Sequence, residues 1–331
     1  MPDLFIHLAW LLLGLVVLLV GGEFLVRGAT NLAYSIKISP MVVGLTIVAF
    51  GTSAPELLIS LQANLSGAAD GAALAMGNVI GSNICNLTLV MGVTCLFYPI
   101  YVQDSSIKTD WLVTIGSSIM LFFFASQNNY IDRYEGIIFV IGIAIYTYML
   151  IDMSRKETKA KIQADLDNGG EEIPEIKGSA IAKEIGVFAI GCVALKFGSD
   201  WFVGGAQDIA KDFNVSGGVI GLTLVALGTS LPELVASSIA AFRKNTDLAL
   251  GNLLGSCIFN NLSILGITAI VKDVHVDQVY IDSHMLWMIG VMLVLLPMMI
   301  TRRRIAGIEG VILLLIYVAY IYFVLSPSQA A

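Results

Sequence analysis

The sequence predicts an all-α integral membrane protein, with ten transmembrane helices in two inverted five-helix repeats and broken helices at the membrane midplane. Three observations predict this class. The 331 residues are 57% hydrophobic and only 13% charged, with a mean hydropathy of +0.84, whereas soluble domains are roughly one-quarter charged. Apolar stretches long enough to cross a bilayer recur along the chain, and the two halves of the sequence resemble each other.

Ten apolar stretches of about 20 residues each are long enough to cross a hydrocarbon core of about 30 Å. The first stretch lacks the basic start of a signal peptide, so we interpret it as a retained helix. The predicted spans are 4–26, 40–64, 73–97, 111–126, 134–153, 181–203, 218–242, 247–270, 284–300 and 307–325.

The two halves of the chain are repeats of one another. GGEFLVRGATNLAYSIKISPMVVGLTIVAFGTSAPELLIS aligns with GSDWFVGGAQDIAKDFNVSGGVIGLTLVALGTSLPELVAS at an offset of 177 residues, and the offset falls to 174 from GNVIGSNICN and GNLLGSCIFN onwards. The strongly polar segment between them is typical of a mobile linker. The predicted division is a first five-helix repeat at 1–154, a linker at 155–179 and a second repeat at 180–331.

The basic residues predict the orientation. Lys and Arg favour the cytoplasmic side of short loops, and an outside N-terminus places fourteen of the eighteen basic residues inside. Both termini are then extracytoplasmic and the linker is cytoplasmic, in a multi-pass protein of the cell (inner) membrane. Because each half has an odd number of spans, the second half enters from the opposite face, a layout typical of secondary transporters with a midplane substrate site.

A glutamate occurs twice near the middle of a predicted span, in GTSAPE at 51–56 and in GTSLPE at 228–233. Proline lacks an N–H and clashes with the carbonyl four residues before it, so each helix is expected to break at its Gly-Thr pair. Irregular backbone at membrane depth is tolerated where it is buried or lines a polar cavity. The freed carbonyls of these pairs and the hydroxyls of Ser53 and Ser230 therefore predict an oxygen-rich site for a hard cation.

A capping box is the structural alternative for both motifs. Ser53 with Glu56, and Ser230 with Glu233, would satisfy the first N–H groups of each resumed helix. A charged acid at a helix centre costs roughly 2.5–3.5 kcal/mol on insertion scales, and a neutral cap would do the same structural work. Two copies therefore favour cation binding, without excluding that each glutamate also caps its helix.

The companion segments GNVIGSNICN and GNLLGSCIFN each carry a serine and an asparagine four residues apart. The pairs Ser82 with Asn86 and Ser256 with Asn260 therefore each share one helix face. The glycines form small-xxx-small patterns, which predict close helix packing. Interhelical hydrogen bonding is the structural alternative for the polar side chains, whereas close packing beside the broken helices favours a shared ion site.

The other polar residues in or near the spans are expected to be interfacial or structural. They comprise four acids near span ends, three isolated histidines and four cysteines: Glu23, Asp200, Glu135, Glu309, His7, His275, His284, Cys85, Cys95, Cys192 and Cys257. The cysteines imply no disulfide framework. The sequence has no Walker loop, nucleotide fingerprint or nucleic-acid-binding pattern, so we predict no cofactor, no nucleic-acid partner and no enzyme activity.

The twin GTSxPE and GNxxGSxxxN motifs, in an inverted ten-span repeat, resemble the cation/calcium antiporter superfamily and in particular its prokaryotic sodium/calcium exchangers. The resemblance implies eight core helices, across which the first helix of each half slides. It also implies four cation sites at the centre, where Ca²⁺ and Na⁺ compete for the same glutamates.

The resemblance assigns ligands by motif position. The implied Ca²⁺ ligands are the carboxylates of Glu56 and Glu233 and the carbonyl oxygens of Thr52 and Thr229. The implied flanking Na⁺ sites draw on Ala49, Ser53, Ser82, Ala226, Ser230 and Ser256, and Asn86 completes the middle. Asn260 is the ligand position that departs from the pattern of some members. Several relatives carry aspartate at the position of Asn260, which leaves the ion stoichiometry and any K⁺ dependence open.

The sequence therefore predicts a secondary antiporter in the lipid bilayer that exchanges Ca²⁺ for Na⁺ by alternating access. Two ionised glutamates give the empty site a charge of −2, which is costly in a low-dielectric core, so only loaded forms should cross and transport should move net charge. Ca²⁺/H⁺ exchange, in which the glutamates take protons instead, and a cation channel are the alternatives. An intramembrane hydrolase is disfavoured because neither a nucleophile nor a zinc-ligand cluster accompanies the acids.

Overall fold

The computed structural model describes residues 2–66, 71–167, 178–213 and 226–326, which are almost all helical. The helices are α1 (Pro2–Ser35), α2 (Pro40–Val43), α3 (Ala49–Leu65), α4 (Gly71–Cys85), α5 (Met91–Phe97), α6 (Trp111–Asn128), α7 (Arg133–Asp167), α8 (Gly178–Asp212), α9 (Ala226–Thr229), α10 (Leu231–Phe242), α11 (Thr246–Phe259), α12 (Leu265–Val271), α13 (Met285–Thr301) and α14 (Gly307–Val324). Five-residue π-helical turns lead into α3, α5, α6, α12 and α13, at Gly44–Val48, Asn86–Val90, Ser106–Asp110, Asn260–Ile264 and Tyr280–His284. The strands are β1 (Ile100–Tyr101), β2 (Tyr130–Ile131), β3 (Val274–His275) and β4 (Arg304–Ile305).

Eight helical stretches in the described part of the chain are long and apolar enough to cross a membrane. They coincide with eight of the ten predicted spans: Leu4–Ser35, Pro40–Leu65, Gly71–Phe97, Ser106–Asn128, Arg133–Ala160, Thr246–Val271, Tyr280–Thr301 and Gly307–Val324. The span predicted at 181–203 falls inside the 35-residue helix α8, and the one predicted at 218–242 is only partly described. The all-helical membrane fold is confirmed, whereas the total of ten spans stays a prediction.

Helix α7 extends well beyond the span predicted at 134–153. It continues to Asp167, so the first part of the predicted linker is helical. Lys156 donates a 2.6 Å hydrogen bond to Asp152 one turn before it, and ion pairs at this spacing stabilise exposed helices. The positions 168–177 lie outside the described residues, so the boundaries of the linker stay a prediction.

The sequence repeat reappears in the backbone with the same offset of 174 residues. The π turn at Asn86–Val90 corresponds to the π turn at Asn260–Ile264, β1 corresponds to β3, and β2 corresponds to β4. The strands nevertheless pair across the repeats, because β1 is antiparallel to β4 and β2 is antiparallel to β3.

These strand pairs establish that the two halves are inverted. β1 and β2 flank α6, whose 18 residues span about 27 Å, so the two strands lie at opposite ends of the bundle. Since β3 pairs with β2, β3 lies at the end opposite to its own counterpart, β1. Equivalent loops of the two halves therefore sit at opposite ends of the bundle, as the odd number of spans per half predicts.

Helices α1 and α8 pack against each other through glycines. Each helix has three glycines at a spacing of seven residues, and a Cβ atom at any of them would lie 2.3–2.8 Å from the backbone of the partner helix. The six positions are Gly14, Gly21, Gly28, Gly191, Gly198 and Gly205. Small residues at this spacing let two helix backbones touch, so α1 and α8 form one closely packed pair.

The centre of the bundle is formed by the two spans that carry the GNxxGSxxxN segments. In the most apolar stretch of both Gly71–Phe97 and Thr246–Val271, 78% of the residues are buried, compared with 17% for Leu4–Ser35. The motif helices therefore occupy the core, and α1 lies at its edge.

Candidate cation site

Two buried carboxylates lie at the centre of the bundle. Glu56 on α3 and Glu233 on α10 are each only 1% exposed, and they lie close enough for their charges to interact. Burying two acids in an apolar bundle is costly unless cations or hydrogen bonds compensate. The two halves of the chain thus bring their single motif glutamates to one place.

Ser53 joins the two motifs directly. Its hydroxyl donates a 3.0 Å hydrogen bond to Oε1 of Glu233, which belongs to the other half of the chain. The hydroxyls of Thr52 and Ser256 also lie beside this carboxylate. Residues from α3, α10 and α11 therefore form one polar cluster.

The capping boxes considered from the sequence are absent from both motifs. Ser230 precedes α10 but makes no side-chain capping hydrogen bond. The hydroxyl of Ser53 donates to Glu233 in the other half of the chain instead of capping its own helix. Glutamates do bond to backbone at span ends, where Glu135 accepts from the N–H of Asp132 at 2.9 Å. The capping interpretation is therefore wrong for the two motifs, because Ser53 bonds to Glu233 and the hydroxyl of Ser230 has no hydrogen-bond partner.

The predicted helix breaks differ between the two halves. In the second half, the break falls at Ser230 between α9 and α10, one residue after the Gly-Thr pair. In the first half, α3 runs through Pro55 without a break, and the irregularity is the π turn at Gly44–Val48. π adjustments and threonine hydroxyls can satisfy the backbone around a proline in a membrane helix, and Thr52 donates to the carbonyl of Val48 at 3.1 Å.

The carbonyl of Gly228, predicted to be free for a cation, has a protein partner. Ser199 on α8 donates a 2.6 Å hydrogen bond to this oxygen. A Cβ atom at Gly228 would also meet Val203 of α8 at 2.7 Å. The second motif is therefore anchored on α8 through this carbonyl, which is not free as the sequence predicted.

A cavity of about 270 Å³ opens beside this anchor. Its lining includes Thr229 and Pro232 of the second motif, Pro55 of the first, and Lys196 and Asp200 of α8. Lys196 donates to Asp200 at 2.5 Å, and both side chains are about half exposed. The cavity thus connects an exposed ion pair with both motifs and is large enough for a partly hydrated cation.

Buried polar atoms without a hydrogen-bond partner are concentrated in the motif residues. Of the ten such side-chain atoms in the described part of the chain, eight belong to predicted ligands: Oε1 and Oε2 of Glu56, Oε2 of Glu233, Oδ1 and Nδ2 of Asn86, Oδ1 of Asn260, and the hydroxyls of Ser230 and Ser256. Buried polar groups in proteins nearly always have partners. A cluster of carboxylate, amide and hydroxyl oxygens fits a hard cation such as Na⁺ or Ca²⁺.

The remaining predicted ligands lie on helices of the same motifs. Ala49 begins α3 and Ser82 lies on α4, both buried, and Thr229 is partly buried at the cavity. Ala226 begins α9, and its side chain lies outside the described part of the chain. Among the described residues, no group of three or more His, Cys, Asp or Glu side chains is assembled, so the acidic content of the site is the glutamate pair.

Our sequence reasoning missed four asparagines of the core. Asn78 and Asn252 are repeat counterparts that donate to serines of the neighbouring motif helices, at 2.9 and 3.0 Å. Both follow the first glycine of GNxxGSxxxN, so the repeat itself was an available signal. Asn83 and Asn261 have no polar counterpart in the other half, since the equivalent positions are cysteine and leucine, and no pattern marked them.

An inverted-repeat membrane bundle with two buried carboxylates at its centre has the architecture of a secondary transporter for cations. The chain belongs to the sodium/calcium exchanger protein family, whose model matches residues 6–151 and 183–326. It is therefore a multi-pass membrane protein of a transporter family.

Individual relatives and a solved structure agree with this assignment. The putative antiporter CaxA of Alkalimonas amylolytica is 35% identical over 325 residues, which cover 96% of this chain and 98% of the relative. The sodium/calcium exchanger MaX1 of Methanosarcina acetivorans is 32% identical over 94% of this chain and 96% of its own length. A structure of the sodium-calcium exchanger NCX_Mj matches with a TM-score of 0.80 and 28% identity, over 97% of this chain and 99% of that one.

Proposed function

We propose that this protein exchanges Ca²⁺ for Na⁺ across the membrane by alternating access. The observation that carries the proposal is the cluster of buried, unpartnered oxygen atoms around Glu56 and Glu233, which fits hard cations. The names of the sodium/calcium exchanger MaX1 and the sodium-calcium exchanger NCX_Mj support the same two ions, and NCX_Mj is described after soaking in Na⁺ with Ca²⁺ or Sr²⁺.

The proposed ligands follow the motif positions. Ca²⁺ lies between the two glutamate carboxylates, with the carbonyl oxygens of Thr52 and Thr229 completing its shell. Na⁺ occupies flanking sites, and the amides of Asn86 and Asn260 lie between them. The flanking ligands are Ala49, Ser53, Ser82, Ala226, Ser230 and Ser256.

Exchange follows from the charge of the site. With both glutamates ionised, the site carries −2, and moving that charge through a low-dielectric core is costly. One Ca²⁺ neutralises the pair, so the loaded carrier reorients readily, whereas the empty carrier does so poorly. Several Na⁺ ions neutralise the pair with positive charge left over, so each cycle moves net charge across the membrane.

We place the protein in the cell (inner) membrane, with both termini outside and the 155–179 segment in the cytoplasm. The basic residues support it, since the cytoplasmic extension of α7 carries Arg155, Lys156 and Lys159. In this orientation, the cavity beside Asp200 faces outward.

Radioactive Ca²⁺ uptake into proteoliposomes tests the proposal, with Na⁺, K⁺ and H⁺ gradients imposed one at a time. We expect uptake with an outward Na⁺ gradient and none with K⁺ or H⁺ alone. Uptake driven by an H⁺ gradient without Na⁺ would indicate Ca²⁺/H⁺ exchange instead. Uptake that needs no counter-ion, and that Ca²⁺ on the far side does not stimulate, would indicate a channel.

A further inference from the structure

Three asparagines form a hydrogen-bonded chain that ends at the proposed cation site. Asn260 donates its Nδ2 to Oδ1 of Asn83 at 3.0 Å, and Asn83 donates its Nδ2 to Oδ1 of Asn261 at 2.8 Å. Asn261 in turn donates its Nδ2 to the hydroxyl oxygens of Ser117 and Ser118, at 3.1 and 2.8 Å. All five side chains are buried. The chain runs from the π turn at Asn260–Ile264 to α4, back to the same π turn and on to α6.

The direction of this chain is fixed at its far end. The hydroxyls of Ser117 and Ser118 both donate to the backbone carbonyl of Thr114, at 2.8 and 3.0 Å. Each hydroxyl has one proton, so the two serine oxygens are left only to accept. Asn261 must therefore present its amide nitrogen to them.

The remaining orientations follow in order. With its nitrogen directed to the serines, Asn261 offers only its oxygen to Asn83, which must then present its own nitrogen. A second contact of that nitrogen, at 3.4 Å to Sδ of Met288, agrees with this orientation. Asn83 consequently offers its oxygen to Asn260, so the nitrogen of Asn260 is engaged and its Oδ1 has no protein partner.

We infer that Asn83 and Asn261 are positioning residues that hold the amide of Asn260 with its oxygen towards the transported cation. A free asparagine amide presents oxygen or nitrogen, and only the oxygen binds a cation. Fixing the amide in advance removes the cost of orienting it when the ion binds. This inference rests on the proposed function, because it assumes a cation beside Asn260.

The other half of the chain lacks this device. Asn86 is the repeat counterpart of Asn260, and both atoms of its amide are without partners. The positions equivalent to Asn83 and Asn261 are Cys257 and Leu87, which cannot continue an amide chain. The two asparagines of the site are therefore unequal, and only Asn260 has its oxygen held in place.

A double-mutant cycle on Ca²⁺ binding to the purified protein tests the inference. Asn83→Leu should raise the half-saturating Ca²⁺ concentration about five- to tenfold, the effect of roughly one buried hydrogen bond. In an Asn260→Ala background, which has no amide to orient, Asn83→Leu should change it less than about twofold. Asn64→Leu is the matched control, since this buried asparagine donates instead to the carbonyl of Lys272, and Ca²⁺ binding should be unchanged.

If the role of Asn83 is purely structural, Asn83→Leu should lower the affinity for Ca²⁺ equally in the wild-type and Asn260→Ala backgrounds. That result would overturn the inference. If Asn83→Leu does not fold, Ser117→Ala with Ser118→Ala decides the question in the same two backgrounds. These changes keep every asparagine and remove the anchor, so we expect a smaller loss that also vanishes in Asn260→Ala. The double-mutant cycle measures equilibrium binding of Ca²⁺, whereas the proposed function is tested by Na⁺-driven Ca²⁺ flux. Failure of the inference and failure of the proposed function can therefore be distinguished.

Discussion

The glutamate pair is the part of the site whose chemistry is most directly testable. Glu56→Gln and Glu233→Gln should each abolish Ca²⁺ transport in a folded protein, because the amide keeps the shape and removes the charge. Removing one partner of a buried ion pair costs about 3–5 kcal/mol. A loss of this size lowers the affinity for Ca²⁺ more than about a hundredfold. Radioactive Ca²⁺ flux measures transport, and size-exclusion chromatography shows whether the variants are folded.

Glu135→Gln is the matched control for these variants. Glu135 also lies on a span helix, but its carboxylate accepts a hydrogen bond from the N–H of Asp132 at the start of α7. Transport should remain at the wild-type rate. Near wild-type exchange in either motif variant would mean that the two acids do not share one site.

The serines on the central helices should discriminate between the two ions. Ser82→Ala and Ser256→Ala are expected to weaken Na⁺ more than Ca²⁺, because a neutral hydroxyl contributes relatively more to a monovalent ion than to one bound by two carboxylates. The Na⁺ concentration for half-maximal exchange should rise up to about tenfold, which corresponds to a loss of about 1.4 kcal/mol, comparable with one neutral hydrogen bond. Equal losses for both ions would show that the serines support the whole site.

The uncharged side chain of Asn260 predicts exchange that is independent of K⁺. No third carboxylate is present for a further monovalent ion to balance, since the described residues bring only Glu56 and Glu233 together. Flux should be unchanged when K⁺ is replaced by choline at fixed Na⁺ and Ca²⁺. Asn260→Asp supplies a third carboxylate and should make exchange sensitive to K⁺, whereas a strict K⁺ requirement in the wild type would contradict this assignment.

At the residue scale, the sequence identified the buried polar residues that recur in both halves, but not the buried polar residues that differ between the halves. The repeat marked Glu56, Glu233 and the serines, because a polar residue that recurs inside two apolar spans has few structural explanations. It did not mark buried groups that differ between the halves. Asp110 and His284 are repeat counterparts, and each bonds to an equivalent tyrosine, at 2.9 and 3.1 Å, but their unlike types hid the equivalence.

At the element scale, the glycine contacts between α1 and α8 should be essential for exchange. Gly21→Ala and Gly198→Ala each place a Cβ atom 2.6–2.8 Å from the partner helix, so the helices must move apart. Gly198 precedes Ser199, which anchors the second motif through the carbonyl of Gly228. We therefore expect either variant to reduce Na⁺-driven Ca²⁺ flux severalfold or more.

Gly186→Ala is the matched control on the same helix, because no described atom lies within 4 Å of a Cβ added there. Its flux should equal that of the wild type. Full activity in both contact variants would mean that α1 and α8 tolerate separation, which would contradict the prediction that their close contact is essential for exchange.

Helix positions were predictable and helix irregularities were not. Long apolar stretches define membrane spans by length alone, which is why eight predicted spans coincide with described helices. The proline rule located the break in the second motif, at Ser230, but it failed in the first motif, where α3 is unbroken through Pro55 and the irregularity is a π turn before the helix. Which solution is adopted depends on tertiary partners such as Ser199, and these are not encoded locally.

At the scale of the whole molecule, the inverted repeat explains the shared site, but the two halves differ in the ion pairs of their first helices. Glu23 on α1 pairs with Arg243, which follows α10. Its counterpart on α8, Asp200, pairs with Lys196 of its own helix and lines the cavity. One acid thus ties its helix to α10, whereas the other lies at a cavity that reaches both motifs.

The central claim is that Na⁺ and Ca²⁺ bind one site formed by the glutamates of both halves. Equilibrium binding of radioactive Ca²⁺ to the purified protein, over a range of fixed Na⁺ concentrations, tests this most directly. A shared site predicts that Na⁺ raises the apparent Kd for Ca²⁺ steeply while the Ca²⁺ capacity at saturation stays constant. A capacity that falls at constant Kd, or Ca²⁺ binding that Na⁺ leaves unchanged, would contradict it.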